Sequence, residues 1–257
     1  MNAPCFYHPA WPLCYEDNHL LALYKPAGLL VQGDRTGAPS LLELAKTWLK
    51  ERCHKKGEAF LGLVHRLDRP VAGVMLFCRT SKAAGRISDQ FRSGTVRKRY
   101  LAVVIGVPKE PTGFLQNHLE RQANRSSRIL PAPTRTSQEA RLHYRVVAAA
   151  GSNSLVEIDL ETGRHHQIRV QMAHLGHPLL GDLRYGAATP LAQRQIALLA
   201  TALVIRHPIT GAAMTLRSPL PRGWPWPPDH PVREGPPWNW IELQSLLGRR
   251  NGSKEEE

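Results

Sequence analysis

The chain has 257 residues, 42% of them hydrophobic, and its 34 Lys and Arg against 21 Asp and Glu give a formal net charge of +13. That length supports one substantial core, or a core with a small appendage. The surplus charge steers polyanions, and RNA or DNA stands ahead of an anionic membrane because no Lys/Arg-rich amphipathic helix is present. Cys5, Cys14, Cys53 and Cys78 are scattered without a C-x-x-C pair, which speaks against a zinc framework and a dense disulfide scaffold. No cationic region followed by an apolar run opens the chain, and no stretch reaches transmembrane length. The expectation is a cytoplasmic protein with no membrane partner.

Residues 1–14 read as an irregular lead-in of aromatics and prolines. "HLLALYKPAGLLVQ" predicts a strand, a turn at Pro26 and Gly28, and a second short strand. Ser40 caps a helix through "LLELAKTWLKERCHKK", with Leu41, Leu44, Ala45 and Trp48 on one face. "FLGLVHRL" and "AGVMLFCR" are short apolar runs that place Asp68 on a loop between strands. Ser81 starts a helix closed by Gly94, and "RKRYLAVVIGVP" is a further strand. Residues 107–138 read as a long polar excursion with loose strand pieces. "EARLHYRVVAAAGSNSLVEIDLETG" predicts a hairpin turning at Gly151. "RHHQIRVQMAHLG" predicts a helix with Ile168, Met172 and Leu175 on its apolar face, stopped by Gly176 and Pro178. A last hairpin turns around Pro208 to Gly211. The fold class is α+β, a mainly antiparallel (mixed) sheet core with flanking helices. A domain at 15–222 is followed by a Pro/Trp-rich extension, 223–257, whose "GRRNGSKEEE" end reads as disordered.

The chemistry turns on "LVHRLDRPVAGVMLF", where Asp68 sits between Arg66 and Arg69 inside apolar sequence. The flanking cations favour its charged form, suited to nucleophilic attack or to stabilising an oxocarbenium-like carbon. A kinase catalytic loop is excluded because Leu67 separates His-Arg from the aspartate and no Asp-Phe-Gly follows. No Walker A or dinucleotide glycine pattern is present. His165, His166, His174 and His177 cluster without an acid or Cys at metal-ligand spacing, so no metal site is expected. On residues alone, a structural Arg-Asp pair stays as good a reading of Asp68 as catalysis.

Five blocks bring a resemblance. "HRLDRPVAGVMLF" is similar to the aspartate motif of the RluA-type pseudouridine synthases. "YEDNHLLALYKPAGLLVQ", "VRKRYLAVVIGVP", "LETGRHHQIRVQMAHLGHPLLGDLRYG" and "RHPITGAAMTLRSPLP" resemble the family's other blocks, in order, over residues 15–222. The resemblance implies the pseudouridine synthase catalytic fold, acting on ribosomal or transfer RNA with neither metal nor cofactor. It implies Asp68 as the catalytic aspartate, Tyr100 as the aromatic stacked on uracil, and Arg169 as the cation pairing with Asp68, with Arg164 as second choice. Arg66 is implied as the side chain that takes the flipped base's place. Arg69, Arg164 and Lys98 are expected RNA contacts. Tyr100 as a core aromatic, and Arg164 and Arg169 as phosphate contacts or solvated charges, are the plainer alternatives.

The sequence departs from the family pattern in three places. Val71 and Ala72 replace a common Thr-Ser, and Leu199 stands where a histidine is usual. The catalytic blocks begin almost at once, so the N-terminal S4-type RNA-binding domain of many relatives is expected to be absent. Affinity then falls to the basic surface and the Arg-rich stretch at 121–135. The main rival is a non-catalytic RNA-binding module with a structural Arg66–Asp68 pair, and a hydrolytic glycosidase is disfavoured because no second carboxylate accompanies Asp68. A monomer is the simplest expectation. If phosphate contacts supply the affinity, RNA binding measured by filter retention falls at least ~10-fold between roughly 50 and 200 mM salt.

Overall fold

The structure is a computed structural model that describes residues 11–54, 57–229 and 232–249. In chain order it has β1 (Leu13–Glu16), β2 (Leu20–Lys25), α1 (Leu41–Arg52), β3 (Gly62–Leu63), β4 (Ala72–Cys78) and α2 (Ser81–Arg92). Then come β5 (Arg97–Ile105), β6 (Thr112–Arg121), β7 (Ser127–Leu130), β8 (Gln138–Ala150), β9 (Asn153–Leu160) and α3 (Gln167–His174). Two 3-10 turns, Leu183–Tyr185 and Ala192–Arg194, precede β10 (Leu198–Arg206), β11 (Ala213–Arg217) and α4 (Trp240–Arg249). The chain divides into two compact units, Met1–Val96 with Thr201–Trp224 and Val232–Glu257, and Arg97–Ala200 with Pro225–Pro231.

In the first unit the strand order is β1-β2-β4-β10, with β3 against β4 and β11 against β10. All six residues of β2 and all seven of β4 are buried, so both read as continuous apolar runs without alternation. Leu20, Ala22, Val74 and Leu76 pack with Ala83 and Ile87 of α2 and with Leu203, Ile205 and Leu216. Thr80 caps α2 by accepting from the Ala83 N–H, and Ser40 caps α1 by accepting from that of Glu43. Burial of Leu41, Ala45, Trp48 and Leu49 fixes the inward face of α1.

The second unit is an antiparallel sheet in the order β5-β9-β8-β6-β7. Along β8, Ala140, Leu142 and Tyr144 are buried while Arg141, His143 and Arg145 are not, the period of a sheet with one covered face. Val170 of α3 packs with Leu119 and Ala140 on the covered face. On the other face arginines meet acids across the strands: Arg99 with Asp159 at 3.2 Å, Arg145 with Glu157 at 2.7 Å, and Arg141 with Glu161 at 2.8 Å.

Several expectations change. Leu13 and Cys14, read as lead-in, belong to β1, whereas residues 1–10 lie outside the described residues. After the Pro26–Gly28 turn no second strand forms; the chain makes single parallel bridges, Ala27 to Asn239 and Leu30 to Ser40. The 107–138 excursion is regular, because β6 pairs with both β8 and β7. Leu175 lies just outside α3, whose residues Gln167 to Met172 are all buried, so two glutamines and an arginine join the apolar face. Most of the extension belongs to the first unit, where Trp224, Trp238 and Leu243 are buried, while Pro225–Pro231 falls in the second. Its Gly248 and Arg249, read as disordered, fall in α4, and the rest of that tail lies outside the described residues. Val71, Ala72 and Leu199 are buried, which accounts for apolar side chains at these three positions.

Candidate active site

In the first unit the site begins with Lys25, the last residue of β2 and wholly buried. Its Nζ donates to the carbonyls of Pro26 at 3.0 Å, Leu29 at 2.8 Å and Arg69 at 3.2 Å. Three acceptors match the three N–H donors of an ammonium. Burial pushes the Lys25 pKa down to about 7, Asp68 pulls it up, and Arg69 adds to the depression. The three carbonyl dipoles favour the protonated form in the same sense as Asp68.

The turn that Lys25 holds is joined to the aspartate loop. The Gly28 N–H donates to the Arg69 carbonyl at 2.7 Å, and Arg69 Nε donates to the Gly28 carbonyl at 2.9 Å. Gly28 has φ +89°, a left-handed conformation that glycine adopts without strain. On its far side the turn is held by the extension: Ala27 N–H donates to the Trp238 carbonyl and Trp240 N–H to the Ala27 carbonyl, both at 2.8 Å. At the loop's entry His65 Nε2 accepts the Leu76 N–H at 2.9 Å, which leaves the ring hydrogen on Nδ1, and the ring stacks on Phe91. At its exit the Val71 N–H donates to the Asp68 carbonyl at 3.1 Å.

Asp68 is half-exposed, with buried Leu67 and Val71 beside it. Arg66 and Arg69, on either side of it, are exposed.

In the second unit Tyr100 is half-buried in β5 opposite Ile158. Lys98, two residues earlier, has its pKa lowered to about 8 by burial and by Arg164. Arg164 precedes α3 and does not belong to it; its Nε donates to the Glu139 carbonyl at 2.8 Å. Arg169, 6% exposed, forms a two-pronged pair with Asp182, Nε to Oδ2 at 2.6 Å and Nη2 to Oδ1 at 2.8 Å. Nη1 lies outside that pair. The guanidinium carbon sits 5.0 Å from the centre of the Tyr185 ring. Tyr185 Oη accepts from the Ser127 N–H and donates to His166 Nδ1, both at 2.8 Å. His166 is thereby held neutral, and burial with nearby Arg169, His165, Arg184 and Arg121 pushes its pKa down to about 2. Among the described residues no group of three His, Cys, Asp or Glu stands together in a way that could hold a metal ion.

Lys25, His65, Asp182, Tyr185 and His166 were not singled out for site roles from sequence. Lys25 had a signal, a lysine closing the apolar run "LLALY"; Asp182 and Tyr185 lay in the quoted "GDLRYG".

The sequence profile for RNA pseudouridylate synthase matches residues 19–174. The chain belongs to the RNA pseudouridylate synthase family. It is 34% identical over 212 residues to an uncharacterised RNA pseudouridine synthase of Bacillus subtilis, covering 81% of this chain and 68% of the relative. It is also 34% identical to ribosomal large subunit pseudouridine synthase D of Nitrosomonas europaea, covering 81% of this chain and 62% of that one. The solved human RNA pseudouridylate synthase domain containing 4 matches with a TM-score of 0.69 at 26% identity, over 82% of this chain and 89% of that one. The family and these relatives support catalysis of pseudouridine formation, an isomerase reaction on RNA. The expected fold class holds: each unit is built on antiparallel strand pairs with helices packed against them.

Lys25→Met keeps the volume and removes the three donors. Two effects compete, relief of a desolvated charge and loss of donors to buried carbonyls; the second wins and costs about 2 kcal/mol in urea unfolding. His166 gives an acid dependence. The unfolded histidine protonates near pH 6.5, whereas the folded one stays neutral down to about 2, so the unfolded state binds more protons between these values. Stability is full above pH 6.5 and declines as pH falls through it. His166→Gln should flatten that decline in thermal midpoints measured from pH 7.5 to 5.

Proposed function

We propose that this chain isomerises uridine to pseudouridine in ribosomal RNA, with transfer RNA as the second substrate class, acting as a cytoplasmic monomer without metal or cofactor. Ribosomal RNA is preferred because the Nitrosomonas europaea relative is described as a large-subunit enzyme. Asp68 is the catalytic aspartate. As the bond between ribose C1′ and uracil N1 breaks, its carboxylate attacks or stabilises the ribose carbon. The freed base turns, C1′ bonds to C5, the C5 proton leaves and N1 gains a proton. Atoms and electrons balance within the substrate, so no co-reactant is needed. Arg66 enters the RNA in place of the flipped base. Tyr100 stacks on the uracil, and Arg169 supplies positive charge toward Asp68. Arg69, Arg164 and Lys98 contact the RNA.

One observation carries the reading: within the span matched by the RNA pseudouridylate synthase profile, residues 19–174, Asp68 stands half-exposed on a loop tied at both ends and at its middle. The exposed position of Arg66, with no carboxylate holding it among the described residues, fits a side chain that leaves the protein surface for RNA.

Asp68→Asn should lower pseudouridine formation on order of 10³-fold or more while RNA affinity and thermal midpoint stay near wild type. Pseudouridine mapping of ribosomal and transfer RNA from cells with and without the protein names the site. Normal modification by the Asn variant would remove the catalytic assignment and return the chain to an RNA-binding module.

A further inference from the structure

Within the second unit, the β6–β7 turn and the 3-10 turn after α3 border a cavity of about 680 Å³ lined by Gln122, Asn124, Ser126, Leu183, Arg184 and Tyr185. Its volume lies in the range of small-ligand sites. Its walls are fixed. The Gln122 N–H donates to the Ser126 carbonyl at 2.9 Å, and the Ser126 N–H donates to Asn124 Oδ1 at 2.9 Å. On the other side Asp182, locked by Arg169, accepts the Tyr185 N–H at 3.0 Å through its carbonyl.

The lining combines three chemistries. The Ser126 hydroxyl lies 2.6 Å from amide oxygens of both Gln122 and Asn124, yet it has one proton. Asn124 Oδ1 is fixed as an acceptor by the Ser126 N–H, so the Gln122 amide is the one that turns, presenting its NH2 to the hydroxyl. Its carbonyl is then left as an acceptor for a ligand. Leu183 is 53% exposed and gives an apolar surface at the rim. Arg184 is exposed, held by one bond from Nη1 to the Asn124 carbonyl at 3.1 Å. Among the described residues no ion pair neutralises Arg184, Arg121 or Arg125, in contrast to the arginines on the open face of the same sheet.

An amide edge, an apolar platform with a guanidinium plane, and uncompensated positive charge are the three parts that recognise an unstacked nucleotide. We propose that this cavity seats a nucleotide of the RNA substrate other than the uridine that is isomerised. Its base lies against Leu183 and the Arg184 guanidinium, its edge meets the Gln122 amide, and its phosphate faces Arg121 and Arg184. The inference rests on RNA being the substrate and adds a place where the enzyme selects which RNA it modifies.

The test is photo-crosslinking of the full chain to short random-sequence RNA oligonucleotides containing 4-thiouridine, with crosslinked peptides identified by mass spectrometry. Crosslinks should map to residues 122–127 and 183–185. Gln122→Ala and the Leu183→Ala/Arg184→Gln pair should reduce them about tenfold, as loss of one base contact predicts. An abasic oligonucleotide of equal length should compete poorly. Equal competition would mean that charge alone binds there, and unchanged crosslinks in the variants would mean that the cavity is not used; either overturns the proposal. On an RNA that the chain modifies, the same variants should raise KM more than they lower kcat. Asp68→Asn separates the two readings: it should keep the crosslinks and lose the modification. A fully active Asp68→Asn protein would end the catalytic reading while leaving the cavity standing.

Discussion

Lys25 is the constraint on which the aspartate loop depends. A buried ammonium is costly unless its donors are met, and here they are met by three backbone carbonyls from two separate segments. One side chain therefore fixes the Lys-Pro-Ala-Gly turn and the residue after Asp68 together. Gly28 and Arg69 then exchange two further bonds, one of them a guanidinium to a carbonyl. The result is a loop whose backbone is set by hydrogen bonds, with Asp68 half-exposed on it. That arrangement suits a group that has to meet a substrate without rearranging first.

The second unit solves the opposite problem, keeping a buried arginine charged and aimed. Arg169 is nearly inaccessible, and a guanidinium there without a partner would be unstable. Asp182 supplies the counter-charge in fork geometry, and the Tyr185 ring covers one side. Tyr185 is in turn held by Ser127 and His166, so the orientation of one guanidinium is determined by a chain of contacts reaching into β7. Each member is held by the next, so substitutions along the network are expected to be non-additive.

Much of this architecture could be read from local sequence. Both late hairpins, the two helix starts near Ser40 and Ser81 and the loop position of Asp68 follow from short-range pattern and turn chemistry. What stayed hidden was partnership over long separations. Nothing near Ala27 announces that Trp238 and Trp240 will pair with it, and a Pro/Trp-rich tail carries no periodicity to betray its docking. Burial of Lys25 was masked because Pro26 and Gly28 already explained the turn. The α3 helix misled for another reason: its glutamines and Arg169 are buried through specific polar bonds, which hydrophobic periodicity cannot register. The aspartate loop itself was legible, whereas its openness was not, since apolar neighbours in sequence need not be walls in space.

The open sheet face of the second unit, with Arg99, Arg141 and Arg145 each bound to a strand neighbour's carboxylate, has a kinetic meaning. A protein of net charge +13 surrounded by polyanions risks being held wherever it first lands. Arginines already answered by acids add little to that grip, which is left to cations such as Arg121, Arg125 and Arg184, for which no ion pair is formed among the described residues. On that open face the protein offers RNA phosphates little free positive charge. In a cell crowded with RNA, the speed of finding a target is then set as much by where the molecule does not stick as by where it does.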